Sequence, residues 1–119
     1  ELVEVKHSSD FNILKYFDDT IIIGKKSYSE PIIFFDLTIN NFNIRDPNTI
    51  NYKDIEQYLH SVDLLLIGTG SDTIIPNEAL IKTMFEKKKG LEFMNTESAC
   101  KTHNLLLSEN RSFSSILYP

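Results

Sequence analysis

Apolar positions along this chain follow two rhythms. Between residues 13 and 35 they come in short β-branched and aromatic runs: Asn12-Ile13-Leu14-Lys15-Tyr16-Phe17, Thr20-Ile21-Ile22-Ile23, Ser27-Tyr28-Ser29 and Ile32-Ile33-Phe34-Phe35. Such runs suit pleated, half-buried strands. Asp18-Asp19 and Gly24-Lys25-Lys26 separate the first three as hairpin turns. Pro31 takes the opening position of the fourth, where a strand tolerates proline. The pattern predicts an antiparallel meander. Ahead of it, residues 1–12 read as a loose arm, with Leu2-Val3-Glu4-Val5 alternating weakly enough to form an edge strand instead. Phe42-Asn43-Ile44 reads as one more short strand, and Asp46-Pro47-Asn48 as a turn.

Past residue 50 the period lengthens. Asn51 can cap a helix with Asp54 at its third position, and Ile55, Tyr58, Leu59 and Val62 form its apolar stripe. Asp63-Leu64-Leu65-Leu66-Ile67 then leaves no polar face, as expected of a strand covered on both sides. It runs into Gly68-Thr69-Gly70-Ser71, a turn of small residues. Asn77 caps a second helix whose inner face is Leu80, Ile81, Met84 and Phe85, and Gly90 marks its stop. Leu91-Glu92-Phe93-Met94 is a short strand, so this stretch is a βαβ unit with two parallel strands. A third helix covers residues 96–107, with Thr96 as cap and Glu97 in its first turn. Asn110 can turn left-handed after it, and residues 111–118 form a closing strand. The expectation is one α/β domain over residues 1–119, a mixed sheet with an N-terminal antiparallel meander and about three helices.

Composition narrows the function. A formal net charge of −5 and a pI near 5.1 argue against a generic nucleic-acid binder, which carries a basic patch or stripe. The one basic run, Lys87-Lys88-Lys89, falls where the second helix ends and cations complement its dipole. A single cysteine, Cys100, rules out an internal disulfide framework and suits a reducing compartment. No apolar run approaches the ~20 residues that cross a bilayer, so no membrane partner is expected. The chain opens at Glu1 without methionine or secretory signal. Cytoplasmic is therefore the default, and mitochondrial only if a leader has been trimmed.

Two stretches invite chemistry. Backbone N–H groups around Gly68-Thr69-Gly70 could cradle an anion, yet no Gly-Lys-Ser/Thr follows, and Thr73 stands at the third glycine of the dinucleotide fingerprint. A tight turn off a buried strand explains the same glycines. In the third helix, Cys100 lies near the N-terminus beside Lys101, where a thiolate is favoured, and His103 follows one turn on. The pair could act as nucleophile and base, or Cys100 could be a small buried hydrophobe. His7, His60, His103 and Cys100 show no metal-ligand spacing. Turns and caps account for Asp36, Asp46, Asp63 and Asp72, and a surface ion pair for Glu109 with Arg111.

Leu65-Leu66-Ile67-Gly68-Thr69-Gly70, then Pro76, then Met94-Asn95-Thr96 and Ala99-Cys100-Lys101-Thr102-His103-Asn104-Leu105-Leu106 resemble the Mth-type domain family of unknown function. Relatives of that family include mitochondrial complex I assembly factor three and an adipogenesis-associated protein. The resemblance implies a compact three-layer α/β fold and no established reaction. It also implies a polar cleft lined by Gly68, Thr69, Gly70 and Ser71, faced by Thr96, Cys100, Lys101, Thr102 and Asn104. His103 departs from the tyrosine common there, and the segment 42–44 lacks a tryptophan often seen near it. The leading expectation is a non-enzymatic binding or assembly domain, without cofactor or metal, whose cleft takes a protein segment or small anion. The rival is a cysteine-dependent small-molecule enzyme centred on Cys100 with His103. A homodimer through an exposed edge of the meander is a third possibility.

Overall fold

Pro31 divides the expected meander in two. In the computed structural model, which describes residues 5–119, β1 (Ile13–Phe17), β2 (Thr20–Ile23) and β3 (Lys26–Tyr28) form an antiparallel sheet of their own. The strand expected through Leu2-Val3-Glu4-Val5 lies outside the described residues except at Val5, which carries no strand. β4 (Ile32–Phe35) begins after the proline and joins a five-stranded sheet. Its partner is β5 (Thr38–Asn41), not the expected strand at residues 42–44, which carry no strand. Phe42 is instead buried beyond the strand's end, with its ring edge-on to Tyr118.

The main sheet runs β5-β4-β8-β6-β7, where β6 is Leu64–Thr69, β7 Gly90–Met94 and β8 Phe113–Tyr118. β6 is parallel to both β7 and β8, and β4 is antiparallel to β8 and β5. Every residue of β6 and β8 is buried, which explains their unbroken apolar or small-residue character. Alternation then assigns the two faces. Leu64, Leu66, Phe113 and Leu117 point toward α3 (Thr96–Ser108) and the small sheet, meeting Ile21, Ile23 and Ala99. Leu65, Ile67 and Ile116 point the other way, toward α1 (Tyr52–Ile55) and α2 (Glu78–Glu86), meeting Ile55, Leu80 and Met84. The result is a three-layer α/β fold: α1 and α2, the five-stranded sheet, then α3 with the meander.

Local signals account for most element ends. Asn77 accepts the Leu80 N–H at 2.8 Å, and Asp54 accepts the Asn51 N–H at 2.9 Å. The first helix is shorter than its stripe suggests, passing into a 3-10 turn at Glu56–Tyr58. The third helix is capped by Asn95, whose carbonyl takes the Ser98 N–H at 2.9 Å, and not by Thr96. Lys88 at φ 57, rather than Gly90, supplies the left-handed residue after α2, and Gly90 opens β7. The lysine run is more than a solvated helix end. Lys89 Nζ donates to the Leu59 and Val62 carbonyls, each at 2.7 Å, and Lys87 stands over the Tyr52 ring.

Candidate functional site

The parallel β6–β7 pair and the short β7–α3 connection bring the glycine turn beside the start of α3. At that junction the space is already taken. A Cβ on Gly68 would stand 2.8 Å from Ala99 Cβ and 3.1 Å from both Leu117 Cδ2 and Thr96 Oγ1. Only glycine lets β6 approach the helix this closely. Gly70 is glycine for another reason: its φ is +96°, and a Cβ there would meet nothing within 4 Å.

The polar groups of the junction are satisfied from inside. Fully buried Thr96 accepts the Gly70 N–H at 2.7 Å and donates to the Tyr118 carbonyl at 2.6 Å. Its own N–H donates to the Gly70 carbonyl at 2.8 Å. Thr69 Oγ1 donates to the Asp72 carbonyl at 2.6 Å, has the Met94 carbonyl at 3.2 Å, and accepts the Ile74 N–H at 3.0 Å. Thr102 points its hydroxyl at Met94 Sδ. Asn104 turns away altogether and grips the backbone of Ile13 in β1, accepting its N–H at 2.7 Å and donating to its carbonyl at 2.9 Å. Ser71 and Lys101 are exposed. The nine residues thus divide: Gly68, Thr69, Gly70 and Thr96 meet and lock the chain, Thr102 and Asn104 are engaged by Met94 and Ile13, Cys100 is buried, and Ser71 and Lys101 face solvent.

Cys100 and His103 lie on the buried stripe of α3 with Thr96, Ala99, Leu106 and Leu107. Burial, aided by the charge of Glu97, pushes the Cys100 thiol up to about 11. Desolvation therefore outweighs the helix dipole and Lys101, which the sequence reading expected to favour thiolate. No hydrogen bond joins Cys100 to His103 among the described residues. His103 Nε2 lies 3.0 Å from the Phe11 carbonyl, and Nδ1 lies 2.8 Å from Ser115 Oγ. A carbonyl only accepts, so Nε2 carries the hydrogen and Nδ1 accepts from the serine. Burial brings the ring's pKa down to about 4, against a smaller opposing effect of the Phe11 carbonyl. Thiol and neutral imidazole, each turned to its own surroundings, are the reverse of an activated pair. Among the described residues no three His, Cys, Asp or Glu side chains gather as metal ligands, and no helix is long and apolar enough to cross a membrane. Asp46 caps its turn by accepting the Asn48 N–H at 2.9 Å, and Arg111 stands 4.0 Å from Glu109.

A different surface escaped the sequence reading. Only Leu80 and Met84 of the expected inner face of α2 are buried; Phe85 is 82% exposed and Ile81 37%. At about 100° per residue, Phe85 lies roughly 120° round the helix from the midpoint of Leu80 and Met84, a signal that the two adjacent apolar pairs Leu80-Ile81 and Met84-Phe85 conceal. Beside them runs β7, an edge strand that among the described residues bonds only β6. Ile81, Met84, Phe85, Lys89, Leu91 and Phe93 line a groove of about 210 Å³ between helix and edge.

With this geometry, the chain is similar to several known proteins. It is 29% identical to the "13 kDa major membrane protein" of Francisella tularensis subsp. holarctica, over 98% of this chain and 97% of that protein. It is also 29% identical to NADH dehydrogenase [ubiquinone] 1 alpha subcomplex assembly factor 3 of Drosophila melanogaster, over 86% of this chain. There the match spans 52% of the relative, about half its length. The fold matches that of a Bordetella pertussis protein described as a Mth938-like domain, with a TM-score of 0.77 at 19% identity over 100% of this chain and 92% of that one. The family model described as a protein of unknown function (DUF498/DUF598) matches residues 13–118, and the chain belongs to that family.

Proposed function

We propose that this chain is a non-enzymatic assembly domain that takes an extended, apolar segment of a protein partner along the β7 edge and the outer side of α2. The exposure of Phe85 carries the reading: a large aromatic 82% open to solvent stands beside a strand edge that is unpaired among the described residues, an anchor next to a row of backbone donors and acceptors. Leu91 and Phe93 alternate along that edge on the α2 side, so an added strand would find pockets for every second side chain. The glycine turn and α3 serve this surface from behind. Thr69 and Thr102 hold Met94 at the end of β7, and the Gly70–Thr96 pair keeps the following turn in place. The assembly-factor name of the Drosophila relative supports a role exercised through protein contacts.

Capture of partners from the source organism's extract by immobilised protein tests the proposal. Phe85→Asp is expected to reduce the captured protein at least about tenfold, with the thermal unfolding midpoint unchanged because the side chain is exposed. Equal capture by wild type and Phe85→Asp overturns it. Loss with Lys101→Ala alone would move the contact to the α3 side of the sheet and overturn the β7 assignment as well.

A further inference from the structure

A depression of about 660 Å³ lies far along the chain from the glycine turn, between the β2–β3 hairpin and the β4–β5 hairpin. Ligand sites commonly span roughly 300–1,000 Å³. Its floor is apolar, made by Phe11, Ile23, Tyr28, Leu37 and Ile39, all packed in or against the core beneath. Leu37 holds φ at 53°, in a two-residue hairpin turn where glycine or asparagine is the usual occupant. Its side chain is thus kept on the floor at a backbone cost. Three lysines, Lys6, Lys25 and Lys26, and a single carboxylate, Asp10, complete the lining together with Val5 and Thr38. No carboxylate among the described residues forms an ion pair with these lysines. Gly24 seats the lysine turn: a Cβ there would lie 3.7 Å from the Asp10 carbonyl, so the turn and the segment before β1 close one side together.

A chain with a net charge of −5 therefore concentrates cations around one apolar trough. We infer that this groove binds a single-chain amphiphile with an anionic head, its tail along Phe11, Tyr28, Leu37 and Ile39 and its head among Lys6, Lys25 and Lys26. Ammonium groups on flexible stems act as point charges and suit a carboxylate or a phosphate alike. A bare inorganic anion would meet the lysines alone and leave the apolar floor uncovered, whereas an amphiphile engages both. The acyl tail supplies the affinity by covering the floor, and the lysines supply the sign.

Titration of the whole chain with decanoate, decyl phosphate, decanol and decyltrimethylammonium, each below its micelle concentration and followed by amide chemical shifts, tests this. Decanoate and decyl phosphate are expected to shift the amides of Phe11, Lys25, Lys26 and Leu37. Decanol should bind at least about tenfold more weakly, and the cationic amphiphile not at all. Decanoate alone would identify a carboxylate head and decyl phosphate alone a phosphate head, either one supporting the site. The double variant Lys25→Glu with Lys26→Glu, both exposed, should lose about tenfold in affinity or more while keeping its spectrum elsewhere. Equal binding of decanol and decanoate, shifts confined to the β7 edge, or no saturable binding overturns the inference.

Discussion

Gly68 and Gly70 stand two residues apart and are glycine on opposite grounds, one for space and one for backbone angle. Gly68→Ala would set a methyl against the Ala99 Cβ, which cannot rotate away, and against a hydroxyl already engaged at both ends. Urea unfolding is expected to show a loss of about 1–3 kcal/mol. A variant as stable as wild type would mean that β6 and α3 are not in contact there. Such a distinction was only half legible in the chain. The strand-end position of both glycines is visible in the aliphatic run before them, whereas the close helix is supplied by residues 28 and more positions beyond Gly68. Thr96 and Asn95 make the same point. Either could cap a helix, and only the carbonyl of Tyr118 and the N–H of Gly70 decide that Thr96 is the interior bridge.

Elements were legible where their signal is local. The α3 stripe of Thr96, Ala99, Cys100, His103, Leu106 and Leu107 follows helical spacing throughout, and its buried face could be drawn from the chain. α2 could not, because four apolar residues leave the direction of burial to its neighbours. In the meander, the turn between β1 and β2 puts Asp18 at φ 49° and Asp19 at φ 54°, a pair of left-handed residues in a two-residue hairpin. Both are exposed. Asp19→Gly removes a Cβ from that conformation and should raise stability by up to about 1 kcal/mol, the gain being tempered by the freer unfolded chain. A lower thermal midpoint for this variant would show that the aspartate side chain contributes something the turn geometry does not.

At the scale of the molecule, α3 is the tie between the two sheets. His103 joins the segment before β1 to β8 through Phe11 and Ser115, and Asn104 clasps β1 itself at Ile13. That clasp also covers part of the β1 edge, one of the two edges of the small sheet. The His103 tie is built on a neutral ring. Its pKa is about 4 in the folded protein and ordinarily 6.5, so the unfolded chain takes up the proton first as pH falls. The stability it protects is intact above pH 6.5 and is lost progressively down to about pH 4, amounting to about 3 kcal/mol. His103→Gln keeps a donor and an acceptor but cannot titrate. Urea midpoints at pH 7 and pH 4.5 should fall further for wild type than for this variant, and parallel falls would refute the neutral tie. Element order from β6 to β8, the parallel β6–β7 pair and the nearness of the glycine turn to α3 were determined by the sequence alone, because periodicity, caps and short connections act between near neighbours. Which hydroxyls would be spent inside, which face of α2 would stay bare, and where lysines would gather over an apolar trough were decided only by the tertiary structure. Those outcomes depend on groups that meet across as many as 92 positions of chain, such as Phe11 and His103, and no local pattern encodes which of them face each other.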